Sequence, residues 1–194
     1  ESTNPVHITT VQGQIELRNV GFRYGTRSIT RDINLTIKPG EMIGLVGHSG
    51  SGKSTLVNLI CRFYDVTEGT ILIDGHDIRS LTIAEYRKHI GLVLQEPFLF
   101  YGTIAENIAY GKPDATHSEI VSAARAAHAH EFILRLPHGY DSLVGERGQA
   151  LSGGERQRIG LLRHLMYVPK VLLLDEITTG LDAENMAIVW NLIQ

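Results

Sequence analysis

Residues 47–55 read Gly-His-Ser-Gly-Ser-Gly-Lys-Ser-Thr, and this stretch decides what the rest of the chain can be. Gly47, Gly52, Lys53 and Ser54 stand at the spacing G-x-x-x-x-G-K-[ST] of a phosphate-binding loop. Glycines let backbone N–H groups approach phosphate oxygens closely, where a side chain would block them. The lysine supplies positive charge for the outer phosphates, and the serine supplies a hydroxyl for Mg²⁺. We therefore predict a nucleotide-binding chain.

The sequence on either side of the loop predicts a strand that enters it and a helix that leaves it. Residues 41–46 are an apolar run expected to form a buried strand, and residues 53–64 are expected to form the helix. A helix N-terminus carries partial positive charge and free N–H donors, so phosphate is stabilised where this strand ends and this helix begins. The helix has apolar side chains at helical spacing at Leu56, Leu59, Ile60 and Phe63.

Composition narrows the class of protein. The chain has 194 residues, 18 basic and 21 acidic side chains and a net charge of −3, so no overall field draws it to nucleic acid or anionic lipid. A local basic patch stays open. Cys61 is the single cysteine, which suits a reducing compartment, and it is expected to pack on the loop helix. No apolar run approaches the length of a membrane span and no export signal is visible, so the chain alone is expected to be soluble.

Two strands are predicted before the loop. Apolar residues alternate with polar ones over residues 15–22 and 33–37, as in half-buried antiparallel strands, and residues 38–40, Lys-Pro-Gly, form a turn. Tyr24 follows the first strand. It is either a core aromatic or a platform for a nucleotide base, and the residues alone favour the core.

Further strands are predicted after the loop helix. We expect strands at residues 70–73 and 90–94, with a short helix at residues 80–89 between them. The first of these strands ends at the turn pair Asp74-Gly75. Gln95 follows the second, at the edge where open α/β sheets bind ligands, so it is a site candidate or an ordinary strand-end residue.

The segment from residue 102 to residue 136 is alanine-rich, and it predicts a helical subdomain with one long helix at residues 118–136. His128 and His130 are two residues apart on this helix, so they point to different sides and make a poor metal pair. Surface or packing roles are favoured for both.

A second anion-binding helix start is predicted further along the chain, at Ser152, Gly153 and Gly154. A chain with two such helix starts needs either two anionic ligands or a second chain, so that two chains share one ligand. Residues 171–174 are an apolar strand followed directly by Asp175 and Glu176, which suit a metal-facing acid and a base for water. The alternative for this pair is a solvated strand end. A last helix is predicted at residues 183–192.

These pieces together resemble the nucleotide-binding domain of ATP-binding cassette (ABC) transporters. The marker is Leu-Ser-Gly-Gly-Glu at residues 151–155, which is similar to the signature motif of that family. The resemblance implies an α/β fold: a P-loop NTPase core with a mostly parallel sheet, an N-terminal antiparallel β layer and an inserted α-helical subdomain. It implies a linker at residues 1–12, a nucleotide-binding domain at residues 13–194 that lacks its C-terminal end, and a helical subdomain at about residues 102–165.

The resemblance also implies the roles of individual residues toward ATP and Mg²⁺. Tyr24 would stack on adenine, Asp182 would cross between subunits, and Glu176 would be the catalytic base, with Gln95 and Lys53 as further catalytic residues. The Mg²⁺ ligands would be Ser54, Gln95 and Asp175. The other ATP-binding residues would be Gly47, Ser49, Gly50, Gly52, Lys53, Ser54 and Thr55, and the signature residues acting on the partner's ATP would be Ser152, Gly153, Gly154 and Glu155.

The resemblance implies two partners: a second nucleotide-binding domain, in a homo- or heterodimer, and a transmembrane domain fused before residue 1 in the parent protein. In that parent protein, the nucleotide-binding domain would lie at the cytoplasmic face of a membrane. No nucleic-acid partner is expected. Residues 96–100 fall where the family docks its membrane partner: an exposed pair of Phe98 and Phe100 would indicate an interface, and a buried pair would indicate core.

The resemblance has departures. Residues 144–148 are typical of exporters, whereas the sequence after Arg158 is more similar to cassettes that are separate subunits, which suggests that the chain joins two lineages. The family's switch histidine would lie beyond Gln194. Two alternatives to a transport motor therefore stay open: a soluble cassette ATPase outside transport, and a nucleotide-binding fragment without turnover.

Overall fold

The computed structural model describes residues 6–94, 97–145 and 151–175. Its strands are β1 Ile15–Tyr24, β2 Arg27–Ile37, β3 Glu68–Ile73, β4 His76–Asp77, β5 Ile90–Val93, β6 Gly102–Thr103, β7 Leu143–Val144 and β8 Val171–Leu174. Its α-helices are α1 Lys53–Ile60, α2 Ile83–Arg87, α3 Ile104–Ala109, α4 His117–Ala126, α5 His130–Arg135 and α6 Gly153–Leu165. Contacts divide the described residues into a first unit drawn from Glu1–Gly91 and Lys170–Leu173 and a second unit drawn from Leu92–Pro169 and Leu174–Gln194.

The first unit contains the predicted antiparallel layer, with strand order β2-β1-β3-β4. Ile15 of β1 pairs with Ile37 of β2 on one side and with Ile73 of β3 on the other. The apolar side chains of β1, including Leu17, are buried, although register shifts beyond Leu17 interrupt the strict alternation. Period-two patterning therefore predicted these strands correctly, because one face of the sheet packs on the core and the other faces water.

The strands β5 and β8 form a two-stranded sheet. The carbonyl of His89 accepts from the N–H of Val171 at 3.0 Å, and the carbonyl of Val93 accepts from the N–H of Asp175 at 2.9 Å. The residue numbers rise together along both strands, so the pair is parallel. The strand predictions at residues 90–94 and 171–174 are confirmed, although every residue of β8 is only partly buried.

The predicted buried strand at residues 41–46 is wrong for the described structure. These residues form no regular strand, and Val46 is 97% exposed. Within the described residues no strand pairs with this segment. An apolar run specifies that a segment can be buried, but a strand also needs a hydrogen-bonded neighbour, which a local pattern does not supply.

The helix α1 ends earlier than predicted. It stops at Ile60, and Arg62 adopts a left-handed backbone with φ of 53°. Phe63, expected on the apolar face, is half exposed. Cys61 is buried as predicted, and burial raises the pKa of its thiol to about 11.

Hydrogen bonds from two side chains of α2 explain why α1 ends at Ile60. The Tyr86 hydroxyl donates to the carbonyl of Ile60. The guanidinium of Arg87 donates to the carbonyls of Cys61 at 3.1 Å and Arg62 at 2.8 Å. The last carbonyls of a helix have no partner within it, so these side chains satisfy them and end the helix.

The predicted long helix at residues 118–136 is instead two helices, α4 and α5. His128 between them has a left-handed φ of 49°. Ala124, Ala127 and Ala129 are fully buried around the break. Small side chains allow close packing at the turn, so alanine content that favours a helix here also permits the chain to fold back.

The second unit has its own core. The helices α3 to α6 contribute buried apolar side chains to one cluster, and β6 pairs with β7 at its side. From α6 these include Ile159 and Leu162. The unit therefore packs mainly helices, as predicted for this part of the chain.

Arg62 is expected to be a major determinant of stability. Its buried guanidinium donates to the carbonyls of Ile78 and Leu81, each at 2.8 Å. Arg62→Ala leaves both carbonyls without these donors, so we expect the free energy of unfolding to fall by about 3 kcal/mol in urea unfolding followed by circular dichroism. Arg31→Ala, at an exposed position on β2, is the control and should change it by less than about 0.5 kcal/mol. Equal effects of the two substitutions would contradict this role.

Candidate functional site

The loop from Gly47 to Gly52 leads directly into α1, as predicted. A side-chain carbon at Gly47 would lie 2.7 Å from the Ser51 hydroxyl, so a larger residue there would displace Ser51. The first turn of α1 carries no acidic residue. Its N–H groups and partial positive charge are therefore available to an anion.

Gly52 caps the start of α1 in a left-handed conformation, with φ of 95°. A side-chain carbon there would lie 2.9 Å from the methyl carbon of Thr30 on β2. Both the backbone angle and the close approach of Thr30 require glycine at this position. Thr30 supports the loop from the sheet, and nothing in the sequence pattern singled it out.

Lys53 folds back over the loop. Its ammonium donates to the carbonyls of Gly47 at 2.6 Å and His48 at 3.0 Å. Ser54 is exposed in the first turn of α1, and Thr55 is partly buried beside it. The loop and the first turn of α1 thus supply a cation, a hydroxyl and helix-start amides, which is the donor set that a phosphate chain requires.

Tyr24 lies at the end of β1 and is 43% exposed, so the core interpretation is not supported. The pairing of β1 with β2 relates Tyr24 to the loop. Phe22, two residues before Tyr24, pairs with Thr30, and the Thr30 methyl group lies close to Gly52. One strand pair therefore links the aromatic residue to the phosphate loop within the first unit.

The second predicted helix start is found in the second unit, as the start of α6. Ser152 caps the helix, and it forms a reciprocal pair with Glu155: the Glu155 N–H donates to the serine oxygen at 3.3 Å, and the Ser152 N–H donates to the carboxylate at 2.8 Å. Ser152 and Gly153 are exposed. The Ser-x-x-Glu spacing was a signal for this capping box that the sequence analysis did not use.

Asp175 follows β8 directly and is partly buried. Gln95, Glu176 and Asp182, and the final predicted helix, lie outside the described residues. Among the described residues no group of three His, Cys, Asp or Glu side chains could hold a metal ion, and His130 instead bonds the Tyr140 hydroxyl at 2.9 Å. Mg²⁺ commonly takes one or two protein oxygens with phosphates and waters, so the hydroxyl of Ser54 and the carboxylate of Asp175 are suitable ligands in kind.

The aromatic pair at the predicted docking segment is exposed. Phe98 is 55% exposed, Phe100 lies at 5.3 Å from it between ring centroids, and Phe100 stacks on Tyr110 at 4.4 Å. Their exposure means that the pair is not part of the core. We name Phe98, Phe100 and Tyr110 the aromatic surface.

Sequence reasoning missed the residue that organises this surface. Arg163 of α6 donates to the carbonyl of Phe98 at 3.0 Å and to both oxygens of Asn107, and it lies 4.9 Å above the ring of Phe100. Burial lowers the pKa of this guanidinium below its ordinary value. The contacts are all long-range, so no local pattern indicated them.

Residues 30–179 match the protein family described as ABC transporter. The chain belongs to the ABC transporter family. The ATP-dependent lipid A-core flippase of Syntrophus aciditrophicus (strain SB) is 52% identical over 179 residues, which is 92% of this chain and 30% of that protein. ABC transporter B family member 3 of Dictyostelium discoideum is 52% identical over 191 residues, 97% of this chain and 13% of that protein.

The fold agrees with this family. The solved structure of a bacterial Atm1-family ABC exporter with ATP bound matches 100% of this chain and 34% of its own, with a TM-score of 0.92 and 41% identity. The predictions of an α/β P-loop NTPase fold and of an ATP-binding, ATPase motor domain of an ABC transporter are confirmed. The change of lineage after Arg158 stays a prediction.

The chain spans about a third or less of the length of these relatives. Across the helices that the structure describes, none has both the length and the apolar character needed to cross a bilayer.

Gly52→Ala is expected to weaken ATP binding at least tenfold in calorimetry, because the new methyl group meets Thr30 and moves the loop amides. Gly40→Ala is the matched control: it also has a left-handed backbone, with φ of 75°, but its side-chain carbon would contact nothing within 4 Å. Both variants should lose about 1–2 kcal/mol of stability from backbone strain. If ATP affinity falls equally in the Gly52→Ala and Gly40→Ala variants, backbone strain alone is responsible, and the explanation by displacement of the loop is wrong.

Proposed function

We propose that the chain binds and hydrolyses ATP in a site shared by two nucleotide-binding domains arranged head to tail. The observation that carries this proposal is the pair of open helix starts: α1, with its glycine loop and Lys53, and α6, with exposed Ser152 and Gly153. ATP held by the loop of one domain would be covered by the α6 start of the other. One ligand would then use both anion-binding starts.

The roles within this site follow from chemistry. Lys53, already directed over the loop, would exchange its carbonyl contacts for the outer phosphates, and the loop amides would bind the phosphate oxygens. Tyr24 would stack on adenine. Ser152 and Gly153 of the opposite domain would donate to the terminal phosphate, which favours closure only when that phosphate is present.

Hydrolysis would need a base and a metal ligand. In this proposal Glu176 accepts a proton from the attacking water, Gln95 orients that water, and Asp182 lies at the contact between the domains. Ser54, Gln95 and Asp175 would hold Mg²⁺, which supplies charge neutralisation at the phosphates when bound. Loss of a positioned proton-transfer group, the role proposed for Glu176, commonly lowers a rate by about 10²–10⁴. Turnover of ATP by this chain alone is therefore the sharpest test of whether its catalytic groups are in place.

The aromatic surface would dock a membrane partner. Its rings are exposed, and Arg163 lies over two of them, those of Phe100 and Tyr110, so they present an ordered apolar contact. We propose that residues 13–194 are the motor of an exporter and that a transmembrane domain precedes them in the parent protein. The motor would lie at the cytoplasmic face of the membrane.

Phosphate release with Mg²⁺ and ATP, measured over a range of protein concentrations, tests the shared site. We expect specific activity to rise with concentration, because only dimers are active, and to vanish in Lys53→Ala. Activity per chain that does not depend on concentration, well below saturation, would contradict a shared site. Nucleotide binding without release in the wild-type chain would reduce the function to that of a nucleotide-binding fragment.

Mixing two inactive variants tests which chain supplies which half. Gly153→Asp should fold, since the position is exposed and an acidic residue suits the first turn of α6, but its charge would repel the partner's phosphate. In an equimolar mixture with Lys53→Ala, half of the dimers are mixed and each has one intact site, so about a quarter of wild-type activity should return if sites act independently. Formation of mixed dimers is checked by affinity capture of one tagged variant. Mixed dimers without recovered activity would contradict the shared arrangement.

A further inference from the structure

Three aromatic rings meet where β1 ends. The ring centroids of Phe22 and Tyr24 are 4.7 Å apart with planes at 87°, and those of Tyr24 and Tyr64 are 5.4 Å apart with planes at 89°. Phe22 and Tyr64 also touch, at 5.7 Å. Phe22 is buried, whereas Tyr24 and Tyr64 are 43% and 46% exposed. Tyr24 is therefore held edge-on by one core ring and one surface ring.

Tyr64 is exposed, but the turn that carries it is held by several contacts. Its neighbour Phe63 donates its N–H to the carbonyl of Asn58 in α1 at 2.9 Å. Arg87 binds the carbonyls of Cys61 and Arg62 and places its guanidinium 4.9 Å above the Phe63 ring. The turn that carries Tyr64 is thus fixed to the end of α1 from two sides.

Tyr24 is held by its two ring contacts at the point where its strand ends. It is the last residue of β1, and Gly25, which follows it, has a left-handed backbone with open space around it. An exposed ring at a strand end would otherwise sample several side-chain rotamers, each presenting a different face. Contacts with Phe22 on one side and Tyr64 on the other restrict this choice. Partial burial raises the pKa of the Tyr24 hydroxyl, and the neighbouring Tyr64 adds to the shift.

We propose that Tyr64 is a positioning residue for the nucleotide base: it fixes the ring of Tyr24 in the orientation that stacks on adenine. This inference rests on the proposed function, in which Tyr24 contacts the base. The helix α1 would then organise both ends of the ligand, since phosphates bind at its N-terminus and the ring beyond its C-terminus orients the base platform. Preorganisation of this kind lowers the entropic cost of binding.

The experiment compares ATP with inorganic tripolyphosphate, which has the phosphates but no base, by calorimetry on this chain. Tyr64→Leu should weaken ATP binding about threefold to tenfold, the range of one aromatic pair, and leave tripolyphosphate binding unchanged. Tyr64→Phe keeps the ring and should bind ATP like the wild type. Tyr101→Leu removes another exposed tyrosine and is the matched control.

Coupling between the two tyrosines distinguishes positioning from a separate contact. Because Tyr64 acts through Tyr24, the double variant Tyr24→Leu with Tyr64→Leu should bind ATP no more weakly than Tyr24→Leu alone. Losses that add would overturn the proposal, as would equal losses for ATP and tripolyphosphate, which indicate damage to the fold. If Tyr24→Leu itself leaves the ATP-to-tripolyphosphate affinity ratio unchanged, the base contact in the proposed function fails. If that ratio falls in Tyr24→Leu but not in Tyr64→Leu, only the role of Tyr64 fails.

Discussion

The close contact between Gly52 and Thr30 is the constraint on which the first half of the nucleotide site depends. Glycine is required there by its left-handed backbone and by the threonine methyl beneath it. Thr30 is paired with Phe22, so the same contact sets the distance from the phosphate loop to the aromatic end of β1. Register shifts on both sides of this pair show that the strands adjust locally around it while the pairing itself is kept.

The other end of α1 is held as firmly as its start. Tyr86 and Arg87 satisfy its last carbonyls, and buried Arg62 satisfies the segment before α2. A helix of eight residues is marginal by itself, so these tertiary contacts, together with its buried apolar face, stabilise it. A site built on a short helix with both ends fixed can hold a triphosphate at one end and orient a base platform from the other.

The starts of α1 and α6 differ in charge. The first turn of α1 has no acidic residue, whereas Glu155 lies in the first turn of α6 and is bonded to the N–H of Ser152. The start of α6 is therefore less attractive to an anion in isolation, since part of its N–H capacity and its positive field is already used. This asymmetry suits a domain that binds ATP first at its own loop and recruits the second helix start only when two domains close.

Local sequence determined the elements whose cause is local. The glycine and lysine spacing of residues 47–55, the alternation along β1 and the start of α6 at Ser152 are each specified by residues within one turn or strand, and all were predicted. Tertiary structure decided where α1 ends, where the helix after residue 117 breaks, whether residues 41–46 find a strand partner, and which side chains hold the aromatic surface. Each of these depends on groups far apart in the chain, such as Arg87 with Cys61 and Arg163 with Phe98. A periodic pattern states which face of an element is apolar, but only the folded chain determines what covers that face and which backbone groups remain to be satisfied.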